Sequence, residues 1–196
     1  MMSRAALFML GFLMFVAPAH AKTLDPDARV RPELLARAME AIEARSPERR
    51  DPGKLVVVDY SLHSSQERLF VIDLETGAVT AFRAAHGLGS DADHDGFLDS
   101  FSGVPESQAS PEGTFRVAEE YTGKHGQSYR LDGLDAANKT ARARAIVIHA
   151  ADYAEPDFLK QHGKLGRSNG CIVFSKADLA RFTEAVSKGT LIFVGK

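Results

Sequence analysis

"RAIVIH" (144–149) and "GKLGRSNGCIVF" (163–174) decide how this chain is read. The first is an apolar, β-branched run that stops on a polar ring, the pattern of a buried strand ending at His149. The second sets Asn169-Gly170, a strong tight-turn dipeptide, just before CIVF, a second short strand. Cys171 opens that strand and is the only cysteine of the 196 residues.

The beginning of the chain bears on that cysteine. MMSRAALFMLGFLMFVAPAHA has Arg4, an apolar run from Ala5 to Ala17, and the small residues Ala19 and Ala21 around His20. This is the pattern of a cleavable signal peptide over 1–21, with a mature chain expected to begin near Lys22. The apolar run is shorter than the roughly 20 residues a spanning helix needs. That length argues against a retained membrane anchor, and because no cysteine directly follows the run no lipoprotein anchor is expected. Exported proteins use cysteine mostly in pairs. An unpaired one is a small buried hydrophobe, an intermolecular link or a free reactive thiol, and this stretch alone leaves all three open.

Residues 22–53 read as a preface to one domain. Pro32 suits a first helical turn, and Leu34, Leu35, Ala38, Met39 and Ile42 share one face at helical spacing. A polar, proline-rich connection, SPERRDPGK (46–54), follows. From there the chain becomes a series of short β runs: LVVVDYSL, RLFVIDLETG, AVTAFRAAHG, TFRVAEEYTG, SYRLDGL, RAIVIHA, CIVF and LIFVGK. Glu75-Thr76-Gly77 marks a hairpin turn. After CIVF a helix is expected, with a capping box of Ser175 and Asp178, a face of Leu179, Phe182 and Val186, and Gly189 as its end. EPDFLKQHG (155–163) is a shorter helical segment. The fold class is therefore mainly β with a few helices (α+β). Residues 87–113 form a longer irregular stretch than a compact domain needs, and such loops are usually functional or mobile. Composition is that of an ordinary globular protein, 44% hydrophobic and 26% charged with a formal net charge of −2. That balance gives no electrostatic reason to expect a nucleic acid or an anionic membrane as partner.

A cysteine nucleophile needs a base or an imidazolium partner. The chain has seven histidines, of which His20 leaves with the signal peptide. His149 sits at a rigid strand end, a good place to hold a catalytic ring still. A lone strand-end histidine is as readily a rim residue bonded to a carbonyl, but a strand-leading cysteine 22 positions later favours the catalytic pair. His86 in AAHG and His125 in GKHG are candidates to line the cleft. Asp91, Asp93, Asp95 and Gly96 imitate the start of a calcium loop, and Asp99 fits its ninth position. The twelfth is Ser102, where a bidentate glutamate belongs, so this acidic loop is read as facing substrate, with no metal and no cofactor expected.

The order strand–His149, loop, Ser168-x-Gly170-Cys171, strand resembles the L,D-transpeptidases (YkuD-type) of bacterial cell walls. SPEGTF (110–115) resembles the Thr-Pro-x-Gly-x-Phe segment of that family. KHGQSYRLDGL (124–134), RAIVIH and HGKLGRS-GC look like its murein-transpeptidase subgroup common in proteobacteria. The resemblance covers 54–196. It implies a β-sandwich or barrel, a periplasmic monomer, and donor and acceptor stem peptides of peptidoglycan as substrates. Cys171 would be the nucleophile and His149 its base, with oxyanion stabilisation by the Gly170 and Cys171 N–H groups. Carbapenems are the β-lactams expected to stay attached to such a thiol. Asn169 stands where most of the family has histidine, and Val173 where many members have arginine. Arg167 is then the candidate cation for a stem-peptide carboxylate, with Ser168 and Asn169 beside it. Two other readings remain: an L,D-carboxypeptidase, in which water resolves the acyl-enzyme, and a catalytically inert, calcium-dependent wall-binding module.

Overall fold

The structure, a computed structural model, describes residues 23–45 and 53–196. The expected signal peptide and most of the 46–54 connection lie outside those residues.

Every β run anticipated from sequence forms a strand: β1 (Lys54–Asp59), β2 (Leu69–Asp73), β3 (Val79–Phe82), β4 (Gly113–Gly123), β5 (Gly126–Gly133), β6 (Val147–Ala150), β7 (Ile172–Phe174) and β8 (Leu191–Gly195). They join in one sheet of order β3-β2-β1-β8-β4-β5-β6-β7. Neighbours are antiparallel except β1–β8 and β6–β7, which run parallel. The chain beyond β3 then pairs with the opposite edge: Ala85 bridges Val173 of β7, and Gly87 bridges Ser168. The two edges of the sheet thus meet, which gives the barrel-like closure the resemblance implies.

Inside the curl lies a core of Val56, Val58, Leu69, Val71, Phe82, Phe115, Leu131, Ile148, Ile172 and Phe174. The alternate residues Leu55, Val57, Phe70, Ile72, Leu191 and Phe193 face the other way, onto Leu34, Ala38 and Ile42 of helix α1 (Pro32–Glu43). Because side chains alternate along a strand, a strand covered on both faces must be apolar throughout. That is why β1 reads Leu-Val-Val-Val without alternation. A second helix, α2 (Pro156–His162), lies in the crossover from β6 to β7, which a parallel pair requires.

Helix α3 (Lys176–Ala185) buries Leu179 and Phe182, with Phe182 against Phe82 and Phe174. The Ser175 hydroxyl accepts the Asp178 N–H at 3.1 Å. The Asp178 carboxylate turns instead to Arg181 at 3.0 Å, so half of the expected capping box forms. The helix also stops at Ala185; Gly189, at φ 102°, belongs to the turn into β8. The 87–113 segment has little regular structure but is tied down, by Asp99 N–H to Ser90 O at 2.7 Å and Ser102 N–H to Ser110 O at 3.0 Å.

Candidate active site

The parallel pairing of β6 and β7 sets His149 opposite Val173 and Ile148 opposite Ile172. One step further back, Cys171 lies opposite Val147. Residues two apart on a strand share a face, so Cys171 and His149 project to the same side of the sheet. They line one cavity of about 420 Å³ with Lys124, His125, Arg144, Tyr153, Arg167 and Asn169. The Cys171 thiol is half-buried, and its Sγ directs a weak donor contact at Ala145 O, 3.7 Å away. Among the described residues no hydrogen bond joins Sγ to His149.

His149 is 2% exposed, and its Nδ1 lies 2.9 Å from Ala150 O. A carbonyl can only accept, so Nδ1 carries the proton and Nε2 the lone pair. The β4–β5 turn folds over this ring and lays His125 flat upon it, with centroids 4.1 Å apart and planes 23° apart. Burial lowers the His149 pKa, the Ala150 carbonyl opposes this, and His125 and Lys124 lower it further. Burial also pushes the Cys171 thiol up, against the Val147 amide and the Arg144 and Lys124 cations. Each shift favours the uncharged form, so at neutral pH the resting site holds a thiol and a neutral imidazole rather than an ion pair.

The turn before Cys171 is fixed by its neighbours. Ser168 Oγ accepts the Gly170 N–H at 3.1 Å and donates to Cys171 O at 2.9 Å. The Ser168 N–H donates to His86 O, and the Leu88 N–H to Ser168 O, both at 2.8 Å. Gly170 has φ 112°, and a Cβ there would come within 2.5 Å of Ala109 O. Glycine is therefore demanded by the protein's own backbone. The Gly170 N–H is also engaged with Ser168, which leaves Cys171's own amide as the candidate oxyanion donor of the two expected.

His86 does not line the cleft as anticipated; it is 1% exposed. Arg68, fully buried, donates from Nη2 to His86 Nδ1 at 2.7 Å, and His86 Nε2–H donates to Asp91 Oδ2 at 3.0 Å. Arg68 is further held by Ala84 O at 2.8 Å and by the face of Tyr60. Burial and the Arg68 cation bring the His86 pKa down to about 4. The Asp91, Asp93 and Asp95 carboxylates do gather. Asp91, however, is wholly buried and committed to His86 and to the Asp95 and Gly96 amides. Arg167 lines the cavity while its guanidinium binds Asp91 O and Ala92 O. The start of the acidic loop thus braces the Cys171 turn from behind.

Arg144, Lys124 and Tyr153 were not singled out by sequence reasoning, although they line the same cavity. Arg144 donates to Ser102 O at 2.8 Å and to Ala109 O at 2.7 Å, fixing its charge near the thiol. Arg144 opens the stretch RAIVIH, but an arginine ahead of an apolar run carries no local signal of that role.

Among known proteins, the profile of the L,D-transpeptidase catalytic domain matches residues 26–194. No curated protein matches the chain. Similar solved structures include an L,D-transpeptidase from Mycobacterium smegmatis, at 18% identity and TM-score 0.44, over 74% of this chain and 59% of that one. Another is the helical cell shape determining protein Pgp2 from Campylobacter jejuni, at 12% identity and TM-score 0.49, over 76% and 49%. A third is an L,D-transpeptidase from Mycobacterium tuberculosis, at 21% identity and TM-score 0.41, over 74% and 58%. This chain therefore spans between 49% and 59% of the length of those proteins. With a profile match over most of its length, the chain belongs to the L,D-transpeptidase catalytic-domain family.

Proposed function

We propose that this is an exported, periplasmic cysteine L,D-transpeptidase that cross-links peptidoglycan stem peptides through a thioester on Cys171. The observation that carries the reading is the placement of Cys171 and His149 on one face of β6 and β7, in one cavity, in a member of this family. The Sγ turns from Ala145 O toward His149 Nε2, which takes its proton as sulfur attacks the peptide carbonyl. Because both groups rest uncharged, proton removal accompanies attack instead of preceding it. The Cys171 N–H stabilises the oxyanion. The imidazolium then protonates the departing terminal D-amino acid, and an amine of a neighbouring stem resolves the thioester. Arg144, Lys124 and Arg167 make the cavity cationic, which suits the carboxylates of a donor stem. The signal-peptide pattern of residues 1–21 supports export, and among the described residues no helix is long and apolar enough to cross a membrane.

Incubation with purified peptidoglycan fragments, followed by mass spectrometry of the products, tests the reaction type. A new cross-link with loss of a terminal D-amino acid is expected. Trimmed stems without cross-links would make the protein an L,D-carboxypeptidase, and unchanged fragments would contradict the enzyme reading.

A further inference from the structure

A second cavity, of about 170 Å³ and lined by Glu106, Gln108, Arg144 and Asn169, shares the last two residues with the cavity that holds Cys171. The two halves differ in charge. The larger has Lys124, Arg144 and Arg167 and no carboxylate; the smaller has Glu106. Arg144 makes no direct contact with that carboxylate. Its Nη1 and Nη2 are committed to Ser102 O and Ala109 O, and it feels Glu106 only through space, with no ion pair within 4.0 Å.

The backbone around this junction is unusual. Six described non-glycine residues have positive φ, and three of them, Glu106 (63°), Gln108 (54°) and Ala145 (52°), line the two cavities. Such conformations cost free energy and persist where the surroundings impose them, often at ligand sites. Here they hold an exposed glutamate at the mouth of the smaller cavity, beside the nucleophile's turn.

We propose that Glu106 is the docking group for the cationic amine that resolves the acyl-enzyme, and that it biases the site toward transfer over hydrolysis. The inference rests on the proposed function and assigns the two substrates to opposite halves of the groove: donor carboxylates to the Lys124–Arg144–Arg167 side, acceptor ammonium to the Glu106 side. A side-chain ammonium has a pKa near ~10.4, so the acceptor arrives charged and a carboxylate concentrates it where water has no such advantage. For reaction, the ammonium releases one proton to solvent and its nitrogen attacks the thioester carbonyl. The C–N bond forms as the C–S bond breaks. The second amine proton passes through His149 Nε2 to Sγ, which restores the thiol and the neutral imidazole.

The test uses the full mature chain, a stem-peptide donor at fixed concentration, and a second stem peptide with a free side-chain amine as acceptor. Acylation of Cys171 by a carbapenem is followed in parallel. Glu106→Gln should raise the acceptor concentration for half-maximal transfer about fivefold, the upper worth of a solvent-accessible ion pair. Its products should shift toward hydrolysed donor while its carbapenem acylation stays within about twofold of the parent. Glu106→Asp should recover part of the loss. Added salt should weaken acceptor binding in the parent more than in Glu106→Gln. Unchanged acceptor dependence and product ratio in Glu106→Gln would overturn the proposal, and so would an equal loss of acylation. Failure of the unaltered protein to acylate Cys171 at all would instead overturn the transpeptidase reading beneath it.

Discussion

His149 is held by three constraints at once: the β6 register, the Nδ1–H bond to Ala150 O at 2.9 Å, and the His125 ring stacked at 4.1 Å. Together they fix the ring with Nδ1 as the donor and Nε2 as the acceptor, in the cavity that Cys171 also lines. Replacing His149 with Gln keeps the size of the side chain but removes the base, and acylation should slow about 100- to 10,000-fold; an acylation rate near that of the parent would exclude His149 as the base. The electrostatics predict the shape of the pH profile. The base is lost by protonation only below its lowered pKa, so activity should hold through neutrality and fall on an acid limb below the ordinary imidazole value of about 6.5. His125 contributes to that lowering by charge and by stacking on the ring. His125→Ala should therefore move the acid limb to higher pH, and a limb that stays in place would show that His125 does not tune the base.

The β6–crossover–β7 unit carries both residues of the proposed pair, and the 84–91 segment fixes its far end through the buried Arg68–His86–Asp91 chain. With a folded pKa near 4 against about 6.5 unfolded, His86 prefers to be neutral when folded. The unfolded chain binds the proton first as pH falls, so stability is present above 6.5 and lost between 6.5 and 4, on the order of 3 kcal/mol. Urea unfolding at pH 7 and pH 4.5 should show this loss, and His86→Gln should remove most of it; an unchanged pH dependence in that variant would assign the loss elsewhere. This element also shows what the sequence could and could not tell. The strands, and with them the placing of Cys171 and His149 at one cavity, were legible because apolar periodicity and a turn dipeptide are local signals. The burial of His86 was not, because AAHG carries no sign of Arg68, 18 positions earlier, whose guanidinium fills the space beneath it. The commitment of the Gly170 N–H to Ser168 was likewise hidden, since a motif gives residue types and not hydrogen-bond directions. Glu106 was hidden for a different reason: it meets Arg144 and Asn169 only through the path of the 87–113 segment.

At the scale of the molecule, one curled sheet with α1 on its outer face and α3 against its inner core presents Cys171 to a charged groove. In the proposed function, this groove forms a thioester on Cys171. Intact-mass spectrometry of the protein, acid-quenched within the first turnovers on a stem-peptide donor, tests it most directly. A carbapenem in place of the donor gives a longer-lived adduct on the same residue. The expected mass increase equals the donor less its released D-amino acid, maps to the peptide that contains Cys171 and is absent from Cys171→Ala. A cross-linking activity that survives in folded Cys171→Ala, or an acyl group found on any other residue, would contradict it.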